Sequence, residues 1–271
     1  MNCRIPLFSL FIAALGVLSF PPPTLPQDEL WNKIGDGLFL SELHAPQITL
    51  VKIDPNYYLF KLLCASENNN LRMTAKKWCQ RHNLVSAINA GMFQTDGIRN
   101  VGYMKNFNHI NSPRLNTSHK AVLAFNPVDA TVPEIQIIDL KCQDFEKLKD
   151  KYQTLIQSIR MISCRQENVW VNQDKRWTIA AFGIDKGGNG LFIFTETHLS
   201  VHDFTNILLS LPVSLYNVMY LEGGPDATLY FSANGVELEK IGSYETDLDE
   251  NHFSKNARSI PNVIGIVKKF R

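Results

Sequence analysis

From Gln47 to the C terminus, turn residues cut the sequence into short apolar runs, and this punctuation constrains the fold more than any other feature. The runs "QITLV", "KAVLAF", "EIQIIDL", "WTIAAFGID", "GLFIFTE" and "NVIGIV" have strand length and are rich in β-branched and aromatic residues, as buried strands are. Between the runs stand turn residues, among them Asp54-Pro55-Asn56, the Gly-rich stretch 186–190 and Asn234-Gly235. A chain broken this often must place most of its length in sheet. Three stretches read at helical spacing instead: 70–83, 144–162 and 200–211. In the last, Ser200 and Asp203 hold capping-box positions, and Val201, Phe204, Ile207, Leu208 and Leu211 mark one apolar face. The expected class is α+β, a single domain with a mixed, mostly antiparallel β-sheet flanked by a few helices.

The first residues follow another logic. Arg4, the apolar run from Ile5 to Phe20 and the proline cluster after it have the layout of a secretory signal peptide. That run is short for a membrane span, and an uncleaved anchor is the alternative reading. The expected division is a signal over 1–20, a linker and N-terminal extension over 21–44, and the folded domain over 45–271. The product is expected to be exported, periplasmic or extracellular, with no stable membrane insertion once the signal is cut. A formal charge of +1 without a basic block points away from nucleic acid as a partner.

Of the five cysteines, Cys3 would leave with the signal. The remaining four allow three pairings; Cys64–Cys79 and Cys142–Cys164 are favoured because each pair brackets one helix-like stretch. A zinc site fits poorly with spacings this wide and no CxxC, so no metal and no cofactor is expected. Reduced core thiols remain the alternative in a reducing compartment.

Candidate chemistry gathers where apolar runs end in polar residues: Asn89 in "AINAGMF", Asp185 in "AAFGID" and Glu222 in "YLEGGPD". If those ends lie side by side, they place one amide and two acids at one rim, the pattern of a small-molecule site. Each also has a plainer reading. Asp185 can simply hold the turn that follows it, and Asn89 can be a turn residue. No nucleophile elbow, HExxH or P-loop is present. His109, His119 and His202 read as surface residues.

Six runs in order, "LVSAINAGMFQTDGIRNVGYMKN", "LNTSHKAVLAFNP", "WTIAAFGIDKGGNGLFIFTE", "SVHDFTNILLSLP", "NVMYLEGGPDATLYF" and "ARSIPNVIGIV", together resemble the phosphodiester glycosidase family over most of residues 45–268. The single-domain bacterial members are the nearest in pattern. Where the family usually has Leu-Asp-Gly-Gly, this chain has Glu222, the same charge one methylene longer. Asp226 replaces a serine or alanine, and Ile179 stands where relatives often carry an arginine suited to gripping phosphate. Arg176 is three residues from Ile179 and should face the other way along a strand. Phosphate contact would then fall to Arg99, Lys105 or Arg160, or to none of them.

The resemblance implies hydrolysis of a sugar–O–phosphate bond in a sugar-phosphate or glycan-phosphodiester substrate. Glu222 would stabilise the oxocarbenium-like centre or activate water, with Asp226 or Asp96 as a second acid. Asn89 would bind sugar hydroxyls, and Gly91, Gly223 and Gly224 would let substrate approach the backbone. Two other readings stay open: a catalytically idle carbohydrate-binding or envelope-associated module of the same fold, and a metal-dependent phosphoesterase.

Overall fold

Aromatic residues from three different sheets meet at Phe60, and the rest of the architecture is arranged around that contact. In the computed structural model, which describes residues 30–245 and 256–270, the Phe60 ring lies 6.1 Å from Phe125, 6.0 Å from Phe182 and 6.4 Å from Phe192. Tilted and edge-on pairs at such distances add to the burial energy of large apolar rings. Every strand pair among the described residues is antiparallel.

The seven-stranded sheet contains β1 (Asn32–Gly35), β2 (Leu38–His44), β3 (Gln47–Ile53), β11 (Arg160–Ile162), β12 (Trp177–Asp185), β13 (Gly190–Leu199) and β14 (Leu215–Gly223). Its order is β1-β2-β3-β13-β12-β14-β11. One five-stranded sheet contains β6 (Met104–Asn106), β7 (His109–Ser112), β8 (Ala121–Pro127), β9 (Ile135–Asp139) and β10 (Tyr152–Ser158), in the order β7-β6-β10-β8-β9. The other contains β4 (Tyr58–Cys64), β5 (Ser86–Asn89), β15 (Thr228–Ala233), β16 (Val236–Ile241) and β17 (Asn262–Lys268), in the order β16-β15-β5-β17-β4.

All three sheets turn an apolar face inward, so Val51, Leu123, Phe182, Met219, Phe231 and Ile264 share one core. Helix α1 (Ala75–His82) covers the sheet of β5 with the buried Trp78, and α3 (Val201–Ser210) covers the seven-stranded sheet with Val201, Phe204 and Leu208. Both helices start at a hydroxyl cap: Thr74 accepts from Lys77 N and Ser200 from Asp203 N. The short α2 (Phe145–Leu148) is the third helix. None of the described helices is long and apolar enough to cross a membrane.

The α+β class and single domain are as expected, with the strands divided over three sheets. The Asp54 turn is present, its carboxylate accepting from Asn56 N at 2.8 Å, and it passes the chain from β3 to β4 in a different sheet. Asn234 and Gly235 both have positive φ, as the tight β15–β16 hairpin requires.

Four expectations need correction. Residues 144–162 are not one helix: only Phe145–Leu148 is α-helical, and Tyr152 begins β10, where the Thr, Ile and Tyr side chains pack in sheet. Residues 32–44, read as part of an extension before the domain, form β1 and β2 at the edge of the seven-stranded sheet. Cys142 and Cys164 are joined, but Cys64 and Cys79 are free and buried. Cys64, at the end of β4, faces the central core while Cys79, on α1, packs on the other face of that sheet, so the sheet separates them. His119 is buried, not on the surface. The expected signal peptide lies outside the described residues.

Candidate active site

Strand β14 carries Glu222 to the end of the sheet beside the start of β12, where Ala180 pairs with Glu222 and Ile179 with Gly223. The chain then turns through Gly224–Asp226, with Gly224 at φ +64°. A side chain there would be strained, and its Cβ would meet the Tyr244 ring at 2.4 Å. Gly223 is under tighter pressure still. A Cβ on it would lie 2.1 Å from the Tyr220 hydroxyl and 2.3 Å from Trp177 Nε1. The glycines therefore let three aromatic groups, Tyr220, Trp177 and Tyr244, close over the backbone beside the acid.

The buried Asn89 fixes the far side of this turn. Its Nδ2 donates to Asp226 O at 2.9 Å and its Oδ1 accepts from Thr228 N at 2.8 Å. Residues 242–244 close the other side. Thr178 exchanges hydrogen bonds with Ser243, and His198 Nε2 lies 2.9 Å from the Ser243 hydroxyl. That tie holds Tyr244 and Glu245 on the rim.

The result is an open cavity of about 540 Å³ with Glu222, Gly223, Tyr220 and Trp177 on its wall and Lys175 and Arg176 beside them. Asp174 and Glu245 also line it. Trp170 packs on Tyr220 with ring centroids 5.3 Å apart, stiffening the wall. Burial pushes the Glu222 carboxyl up to about 7, reinforced by the charge of Asp226 and opposed by the Gly223 N–H that donates to Oε1 at 3.0 Å. An acid poised there exchanges a proton readily near neutrality. Burial, with the nearby Glu222 charge, raises the Tyr220 phenol, which keeps its proton as a donor.

Other sequence candidates lie elsewhere or have other work. Asp226 is close enough for its charge to act on Glu222, while its carboxylate faces Arg258 Nη1 at 3.4 Å. Asn89 is next to the site, but both ends of its amide are occupied by backbone. Asp96 and Arg99 pair with each other at 2.6 Å, and that contact with two backbone N–H groups holds Asp96 down to about 2. Neither lines the cavity. Gly91 has φ +120°, and a Cβ there would strike Asn100 Oδ1 at 2.7 Å, so it serves packing. Arg160 is bound to the buried Asp139, and Lys105 is on β6 in another sheet. Asp185 holds its own turn through Gly187 N and Asn189 N. Because β12 and β14 are antiparallel, it pairs with Leu215 at the opposite end from Glu222.

Arg176 overturns the expectation that it faces away. It precedes β12, and the register shifts between Trp177 and Ile179, so strand alternation does not carry back to it. Ile179 itself is fully buried. Sequence reading also passed over Lys175, Trp177, Tyr220 and Tyr244. Tyr220, two residues before Glu222 on the same strand, was the available signal. Among the described residues, one grouping has metal-ligand spacing: Asp139, Cys142 and Cys164. Its thiols are joined in the disulfide and its carboxylate is held by Arg160, so those groups are already used.

Comparison with known proteins bears on the fold and the family. No curated protein sequence matches the chain. Its fold is similar to that of the zebrafish N-acetylglucosamine-1-phosphodiester alpha-N-acetylglucosaminidase catalytic domain, a structure described as auto-inhibited by its pro-peptide. The TM-score is 0.58 at 14% identity, over 86% of this chain and 82% of that one. A hypothetical protein from Synechocystis is similar at TM-score 0.59 and 12% identity, over 86% of this chain and 62% of that one. The family model described as phosphodiester glycosidase matches residues 82–267, so the chain belongs to the phosphodiester glycosidase family.

Proposed function

We propose that this protein is an exported hydrolase that releases a sugar from a glycosyl-1-phosphodiester, with Glu222 as its reacting carboxylate. The observation that carries this reading is the pairing of Glu222, poised near neutrality, with Lys175 and Arg176 on one cavity wall. The cations hold the phosphate, Arg176 through its planar fork, and the sugar fills the cavity against Tyr220 and Trp177. Water attacks the anomeric carbon and gives its proton to ionised Glu222. The C–O bond to phosphate breaks, and its electron pair leaves on the phosphate oxygen. A phosphate monoester leaves without prior protonation, so one carboxylate suffices where ordinary glycosidases use two. The Tyr220 hydroxyl donates a hydrogen bond to the substrate.

Export rests on the signal-like first 20 residues and agrees with the Cys142–Cys164 disulfide, since such bonds persist in oxidising compartments. The test is release of free sugar from a panel of glycosyl-1-phosphodiesters. Turnover by the wild type that rises with pH through about 7 supports Glu222 as the base. No release from any member, with sugar still bound, would replace this reading with the idle carbohydrate-binding module.

A further inference from the structure

A second pocket, with none of its wall shared with the Glu222 cavity, lies where β9 and β11 are clamped together. It has a volume of about 200 Å³ and is walled by Lys141, Arg160, Ser163, Arg165 and Glu167 beside Cys142. Asp139, buried at the end of β9, is the anchor. It accepts twice from Arg160 Nη1, at 2.7 and 2.9 Å, and also accepts from Lys141 N and Cys164 N. The Cys142–Cys164 bond closes the same junction covalently.

One buried donor at this junction has no hydrogen-bond partner among the described residues, and a second group has a proton left to donate. Both Asp139 contacts use Nη1, and Arg160 Nε is buried without a hydrogen-bond partner. Ser163, 3% exposed, accepts from Arg165 N and Glu167 N, which leaves its hydroxyl proton to donate. Among the described residues that proton has no acceptor. Buried donors are rarely left so, and an unmet one marks a place for a missing partner. Lys141 and Arg165 are exposed at the mouth and join no ion pair among the described residues. With Arg160 neutralised by Asp139, the two mouth cations outweigh Glu167. The pocket thus combines donors at its base with a net positive mouth, Glu167 being the one carboxylate among its lining residues.

We propose that this pocket binds a phosphate-type oxyanion, whose oxygens accept from Arg160 Nε and Ser163 Oγ while Lys141 and Arg165 balance its charge. Arg160, a candidate for phosphate contact from sequence, would then contact phosphate here and not beside Glu222.

The test is binding of inorganic phosphate and of a sugar monophosphate to the full chain, by calorimetry at constant ionic strength in chloride. The variants are Lys141→Ala, Arg165→Ala, their double, and Lys175→Ala with Arg176→Ala. Both mouth side chains are exposed and join no ion pair among the described residues, so melting temperatures should not move. Arg160 is left alone, because removing it would strand the buried Asp139 charge. The expected result is saturable binding that each mouth substitution weakens roughly tenfold and that the Lys175/Arg176 variant retains. Tighter binding of inorganic phosphate assigns a free anion, and tighter binding of the monoester an esterified one. Saturation by neither anion overturns the proposal. So does binding that survives in the mouth double variant but disappears without Lys175 and Arg176. None of these readouts depends on turnover, so they stand apart from the fate of the glycosidase reading.

Discussion

Replacing Glu222 with glutamine should make the protein more stable at alkaline pH, and the size of the gain follows from the site. Burial moves the Glu222 carboxyl from its ordinary value near 4.5 up to about 7. Between those values the folded chain holds a proton that the unfolded chain has released. Stability from this group is therefore fully present below 4.5 and is lost as pH rises through about 7. Across pH 5 to 9 the loss is roughly 2.5 kcal/mol, at about 1.4 kcal/mol for each unit of displacement. Glutamine has the same shape and no charge to bury, so its stability lacks this component. The assay is urea unfolding of both proteins at steps from pH 5 to 9, followed by subtraction. The depressed Asp96 and Asp129 titrate below this window, and the half-buried His82 and the buried His119 contribute to both proteins and cancel. The difference should grow in favour of glutamine from pH 5 to about 7 and level off above it. A difference that stays constant across the range, or grows toward acid, would refute the burial argument.

Three further outcomes follow from the same site. Arg176→Ala should raise KM for a phosphodiester roughly tenfold with little change in kcat, the loss expected for one charge-assisted contact held equally in ground and transition states; a collapse of kcat alone would assign Arg176 another role. Gly223→Ala should cost about 1–3 kcal/mol in urea unfolding and most of the activity, because its Cβ would sit 2.1 Å from the Tyr220 hydroxyl. Asp226→Asn removes a charge that raises Glu222, so the rising limb of the pH–rate profile should move to lower pH; a shift the other way contradicts the placement of the two acids.

The sequence was most legible where local chemistry and tertiary packing agree. The β12–β13 hairpin, the Ser200 cap of α3 and the Asn234-Gly235 turn are local events, and each formed where turn or cap residues asked for it. It misled where a distant partner decides. The stretch 144–162 has helical spacing, but β8 pairs with its later half from residue 152 onward and wins. The Cys64–Cys79 pairing failed because proximity along the chain says nothing about which side of a sheet each thiol faces. The polar strand ends were only half right for a related reason. Asn89 and Glu222 do converge through the Gly224–Asp226 turn, whereas antiparallel pairing sends Asp185 to the other end. Arg176 was misplaced by assuming strand alternation through an irregular register. Among these readings, Glu222 at the end of an apolar strand before two glycines came through unchanged.

The central claim is that the bond broken is the one between the anomeric carbon and oxygen, with Glu222 activating the water. Hydrolysis of a glycosyl-1-phosphodiester in water enriched in heavy oxygen, followed by mass spectrometry of both products, tests it most directly. The account predicts the label in the released sugar and none in the phosphate monoester, with turnover lost in Glu222→Gln. Label in the phosphate product would mean attack at phosphorus, and the protein would be a phosphodiesterase instead.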